Sequence, residues 1–96
     1  MKIDFSKEAG NLTVSLSGRL DTTTAPELAN FFNENYDGNG SLVINCKKLL
    51  YVSSAGLRIL LSVQKKSKGA MKLINVCDLV MEIFEMTGFA DILVIE

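Results

Sequence analysis

The sequence predicts a single α/β domain over residues 1–96, built on a mixed, mostly parallel sheet with three main helices in the order β-β-α-β-α-β-α-β. Three observations predict it. Near the N-terminus apolar residues alternate with polar ones at period two in two neighbouring segments, the pattern of a hairpin. Further on, short apolar runs alternate with stretches of helical periodicity, the pattern of β-α-β units. The composition is 48% hydrophobic and 22% charged with a single proline, which suits one compact core and argues against disorder.

In the first segment Ile3 and Phe5 alternate with Lys2, Asp4 and Ser6. After Glu8-Ala9-Gly10-Asn11 the alternation resumes as Leu12, Val14 and Leu16 against Thr13, Ser15 and Ser17, so the two strands are antiparallel. Gly18 to Thr23 reads as a loop. Thr24-Ala25-Pro26-Glu27 matches a capping box with proline in the first turn, where its missing N–H costs nothing. The helix that follows sets Ala25, Leu28, Ala29, Phe32 and Tyr36 on one face and Glu27, Asn30, Asn33 and Glu34 on the other, ending at Asp37-Gly38-Asn39-Gly40. Phe31 lies off the stripe, and the spacing leaves its burial open.

Leu42, Val43, Ile44 and Cys46 make a nearly continuous apolar run, as expected of a strand covered on both faces. Lys47-Lys48 breaks it, and Leu49-Leu50-Tyr51-Val52 leads to Ser53-Ser54-Ala55-Gly56, where an extended segment turns directly into a helix. That helix, from about Ser54 to Lys68, turns Leu57, Ile59, Leu60, Leu61 and Val63 inward and Arg58, Ser62 and Lys65 outward. Lysines in its last turns suit the dipole and Gly69 terminates it. Met71 to Val76 reads as another buried strand, the next helix runs to Thr87 and is capped by Gly88, and Asp91 to Glu96 makes a last short strand.

Composition removes several function classes. Ten Lys and Arg against 11 Asp and Glu give a net charge of -1 with no basic stripe, which disfavours nucleic acid. The chain has no histidine, so it lacks the commonest general base and the commonest metal ligand; no catalytic residue, metal or cofactor is expected. Cys46 and Cys77, far apart and in apolar surroundings, read as small buried hydrophobes. Met1-Lys2-Ile3-Asp4 opens no secretory leader, and no stretch approaches the roughly 18 apolar residues that span a bilayer. A cytoplasmic protein with no membrane insertion is the expectation.

Right-handed β-α-β crossovers make the second, third and fourth strands parallel, so the loops leaving their carboxyl ends share the sheet edge where ligands bind in open α/β folds. That edge is expected to gather Asp21 and Thr22, Ser53 and Ser54, and Asn75. A serine at a helix start is an N-cap or a phosphorylation site, and both hold at once if Ser53 caps while Ser54 points outward. Gly56 allows close helix-to-strand packing or clears space for a partner, and Asp21 bonds its own loop or acts on the Ser54 hydroxyl.

Gly18-Arg19-Leu20-Asp21, Leu42-Val43-Ile44-Asn45, Val52-Ser53-Ser54-Ala55-Gly56-Leu57, Leu73-Ile74-Asn75 and Met86-Thr87-Gly88-Phe89 together resemble the STAS domain, and more narrowly the small bacterial anti-sigma factor antagonists. The resemblance runs over essentially the whole chain. It implies a substrate rather than an enzyme: a partner that is both anti-sigma factor and serine kinase phosphorylates one serine, a serine phosphatase resets it, and transcription follows. The family motif is Asp-Ser-Ser/Thr-Gly-Leu. By position the phosphoacceptor falls on Ser54, the family aspartate on Ser53, and the first-loop aspartate on Asp21. Ser53 thus removes a carboxylate and leaves a second hydroxyl, making it the alternative acceptor. Asp21, Thr22, Ser53, Ser54, Gly56 and Asn75 are the expected partner-binding residues. Stand-alone STAS domains also resemble regulatory subunits of ABC-type membrane transport complexes, which is the second functional expectation. Nucleotide or small-ligand binding at the same edge ranks last, because no Gly-rich phosphate loop is present.

Overall fold

The computed structural model describes residues 1–96. Four strands, β1 (Lys2–Glu8), β2 (Asn11–Leu20), β3 (Leu42–Val52) and β4 (Met71–Ile74), form one sheet in the order β1-β2-β3-β4. β1 and β2 are antiparallel and the β2-β3 and β3-β4 pairs are parallel, as the hairpin and crossover patterns require. Three helices, α1 (Ala25–Asn35), α2 (Ser54–Ser67) and α3 (Asp78–Thr87), connect and follow them.

Leu12, Val14, Leu16, Leu42, Ile44, Met71 and Leu73 turn one face of the sheet toward Leu28, Phe32, Leu57, Leu60, Val80 and Phe84 of the helices, and these residues form the core. The expectation that the central strand is covered on both faces is corrected. Val43 and Asn45 on the opposite face are only half-buried and Lys47 is exposed, so the helices cover a single face. The nearly unbroken apolar run misled because Val43 is apolar without lying in the core.

Four boundaries also differ, the simplest being that of β4, which ends at Ile74 and not at Val76. β2 continues through Gly18-Arg19-Leu20, which the sequence assigns to a loop, because these residues pair with Leu49, Tyr51 and Val52 of β3. Lys47-Lys48 does not break β3. The register steps from Ser15↔Asn45 to Ser17↔Lys48 and from Gly18↔Leu49 to Arg19↔Tyr51, each step inserting an extra residue into β3. Bulges of this kind change which face a side chain takes, so burial in β3 passes from Cys46 to Leu49 to Val52 instead of alternating strictly. The expected last strand is absent: Phe89–Asp91 form a 3-10 turn, and the tail pairs with the sheet backbone at a single bridge, Leu73↔Ile95. Phe31 is half-buried, its ring centroid 4.9 Å from that of Phe5 in an edge-to-face pair.

Candidate functional site

The turn between β3 and α2 is built from its backbone outward. Leu20 pairs with Val52, so β2 and β3 end together, and the Ser53 N–H donates to the Leu20 carbonyl at 2.8 Å. That bond fixes the Asp21 loop beside the start of α2. Ser53 is extended (φ -91°, ψ 174°) and caps the helix: its Oγ accepts the Gly56 N–H at 3.4 Å and its carbonyl accepts the Leu57 N–H at 2.9 Å.

Gly56 is buried against β2. A Cβ there would lie 2.6 Å from Leu20 Cγ and 3.0 Å from the Leu20 carbonyl oxygen, so the glycine exists for helix-to-strand contact. Of its two expected roles, packing is the one the geometry bears; its missing side chain faces Leu20 rather than an approaching partner. Ser54 follows the cap and is exposed on the first turn of α2. Ser53 therefore spends its hydroxyl on the cap, while the Ser54 hydroxyl faces solvent.

The Asp21 loop is held by its aspartate. Asp21 Oδ1 accepts the Thr23 N–H at 3.0 Å and the Thr24 N–H at 3.2 Å, and its carbonyl accepts the Ala25 N–H at 2.8 Å. The expected capping box is corrected accordingly. Thr24 has helical dihedrals and its side chain does not cap; Oγ1 donates back to the Arg19 carbonyl at 2.7 Å and accepts the Asp21 N–H at 2.9 Å. The backbone N–H of Thr24 bonding to the carboxylate, helped by Thr23 and by the Arg19 charge, outweighs desolvation and lowers the Asp21 pKa below 3.8. Asp21 is thus a carboxylate at neutral pH. Its other oxygen is 3.9 Å from Arg19 Nε, and the Arg19 guanidinium lies 4.3 Å over the Tyr51 ring. Sequence reasoning passed over Arg19 and Tyr51, although the shared ends of two parallel strands place them opposite one another.

Thr22 is exposed beside Asp21. Asn75 is not brought to this edge. β4 has only four residues and its Ile74 pairs with Asn45, so Asn75 donates from Nδ2 to Asn45 Oδ1 at 3.1 Å, most of the length of β3 from Ser53. The loops share a direction, but β4 stops far short of Val52. Cys46 is buried and its thiol is pushed up to about 12 by that burial, Cys77 is half-buried, and both are free. No helix is long and apolar enough to cross a membrane.

The STAS domain family model matches residues 2–96. The chain belongs to the STAS domain family. Within it, the similar proteins are anti-sigma factor antagonists, the family this chain shares. The chain is 33% identical over 96 residues to the candidate anti-sigma factor antagonist BtrV of Bordetella bronchiseptica, covering 96% of this chain and 83% of that one. It is 26% identical over 96 residues to the anti-sigma-B factor antagonist of Bacillus subtilis, covering 97% and 88%. Its fold matches the anti-sigma factor antagonist SpoIIAA in the unphosphorylated form with a TM-score of 0.80 at 14% identity, covering 99% of this chain and 88% of that one. For the phosphorylated form of SpoIIAA from Bacillus the TM-score is 0.72 at 15% identity, covering 99% and 91%. The mixed four-stranded sheet with three helices is the STAS fold.

Proposed function

We propose that this STAS domain works in the cytoplasm as a phosphorylation-controlled partner switch, with Ser54 as the acceptor. Unmodified, the edge formed by Asp21, Thr22, Ser53 and Ser54 docks on an anti-sigma factor that is also a serine kinase, and the sigma factor is released. The kinase transfers a phosphoryl group from its nucleotide to the Ser54 hydroxyl, and a serine phosphatase removes it. The domain is the substrate of both.

One observation carries the reading: of two adjacent serines, Ser53 is committed to the cap and Ser54 is exposed on the first turn. A kinase reaches Ser54 without opening α2, whereas reaching Ser53 costs the cap. Ser53 is therefore the lesser acceptor. The anti-sigma factor antagonists among the similar proteins, and SpoIIAA known in both phosphorylation states, support the assignment.

The mechanism is electrostatic. A phosphoserine carries about -1.5 to -2 charge near neutral pH, and docking would strip its water beside the ionised Asp21. A penalty of only ~3 kcal/mol weakens binding by more than a hundredfold. None of the cavities is lined by Asp21, Ser53 or Ser54, so the edge presents side chains to a macromolecule rather than a pocket to a small ligand. Ser54→Ala is expected to bind the partner kinase constitutively and Ser54→Asp to lose it, read by calorimetry with purified proteins. Equal affinity of the two variants would refute the switch.

A further inference from the structure

We propose that Arg58 is the internal receiver of the Ser54 phosphate, an inference that rests on Ser54 being the acceptor. Arg58 lies on α2 one turn after Ser54, and both residues are exposed. Residues four apart on a helix have Cβ atoms about 5–6 Å apart, within reach of an arginine and a phosphate. The order is the favourable one, with the anion on the N-terminal side and the cation following.

The guanidinium is free to take this role. Arg58 enters none of the three ion pairs of the protein, and α2 carries no acidic residue to compete for it. Arg19, the other arginine, is already engaged by the Asp21 carboxylate and the Tyr51 ring. The next cations along α2, Lys65 and Lys66, sit in its last turn, on the order of 15 Å away along the axis at 1.5 Å per residue. The first turn of α2 also lacks an acid, so a phosphate on Ser54 supplies the anion that the helix dipole favours there. Arginine suits the task because its planar fork donates two parallel hydrogen bonds to phosphate oxygens.

The pairing gives the modified state a defined form. Arg58 favours the dianion over the monoanion, and it holds the phosphate over the first turn instead of leaving it to swing on a free side chain. A phosphatase must then break the pair before hydrolysis, so the same contact slows the reset. The lone Arg58 becomes a neutralised partner in the phosphorylated protein and an available cation in the unmodified one.

The test is a phosphorus NMR titration of the full chain carrying phosphoserine incorporated at position 54 during translation. The chain has no histidine, so few other groups titrate across the second phosphate pKa. Asp21 and Arg19 are common to all variants and cancel in the comparison. The second pKa is expected to rise by about half a unit in Arg58→Gln, to recover partly in Arg58→Lys, and to stay at the parent value in Lys65→Gln. Identical titration curves for the parent and Arg58→Gln overturn the proposal, as does an equal rise in Lys65→Gln, which signals a diffuse field. No kinase is used, so this outcome is separate from failure of the partner kinase to modify Ser54, which would sink the switch and leave the titration standing.

Discussion

Gly56→Ala tests how the edge is held. A methyl group at Gly56 would sit 2.6 Å from Leu20 Cγ, 3.0 Å from its Cδ2 and 3.0 Å from its carbonyl oxygen. Leu20 is fully buried, and the carbonyl is backbone that already accepts the Ser53 N–H, so neither neighbour can simply rotate away. Overpacking of this kind costs about 1–3 kcal/mol. Alanine is favoured over glycine inside a helix by up to about 1 kcal/mol, and by less in a first turn. The net expectation is a loss of about 1–2 kcal/mol, which at a mid-range urea slope of about 2 kcal/mol/M lowers the unfolding midpoint by roughly 0.5–1 M. Relief of the clash separates α2 from β2, so the Ser53 amide should also exchange faster with solvent. Urea unfolding followed by circular dichroism, with amide exchange by NMR, checks both. A midpoint equal to or above that of the parent would refute the packing role given to Gly56.

Three further outcomes follow from the same geometry. Ser53→Ala should lose about 0.5–1 kcal/mol, toward the low end for an N-cap because its 3.4 Å bond is long, whereas Ser53→Asp should match or exceed the parent by keeping the cap and adding an anion at the helix start; thermal melts rank the three. Asp21 has a folded pKa below its ordinary 3.8, so its contribution is present above that value and lost as pH falls through the lower folded one; Asp21→Asn should remove that part of the acid dependence, read by urea midpoints across the range. Cys46, buried with its thiol near 12, should resist a water-soluble disulfide reagent at pH 8 until the protein unfolds, while the half-buried Cys77 reacts first; two thiols reacting equally in the native state would contradict the burial of Cys46.

The strand and helix order was legible because each element carries a strong period: Leu12, Val14 and Leu16 at two, and Leu57, Leu60 and Val63 at three to four. What failed was local. An extra residue near Lys47 and another at Leu50 shift the side-chain phase of β3, and a polar doublet at a bulge looks like the end of a strand. Thr24-x-x-Glu27 has the composition of a capping box, but the Asp21 carboxylate, three residues earlier, takes the Thr24 N–H that Glu27 would accept, and Thr24 Oγ1 is turned back to the Arg19 carbonyl and the Asp21 N–H. Crossover rules give the direction of a loop, not the length of its strand, so the pattern places Asn75 at an edge that the four-residue β4 never reaches. The paired serines were legible in kind: helix-start chemistry named two roles, and only the dihedrals and exposure of Ser53 and Ser54 divide them.

That division matters for the proposed switch because the residues that hold the edge differ from the residue that is modified. The Leu20–Ser53 backbone bond, the Ser53 cap and the Gly56 contact fix the start of α2, and none of them uses the Ser54 hydroxyl. Adding a phosphate there leaves each in place. A serine serving as both cap and acceptor would couple modification to helix fraying, and part of the free energy of phosphorylation would go into unfolding the first turn. With the roles separated, the charge acts on docking alone, so the phosphorylated domain should melt at or above the temperature of the unmodified one while its affinity for the partner falls by more than a hundredfold. Calorimetric melting of the two forms beside a binding titration checks this, and a phosphorylated protein that lost several degrees would place the switch in the fold rather than at its surface.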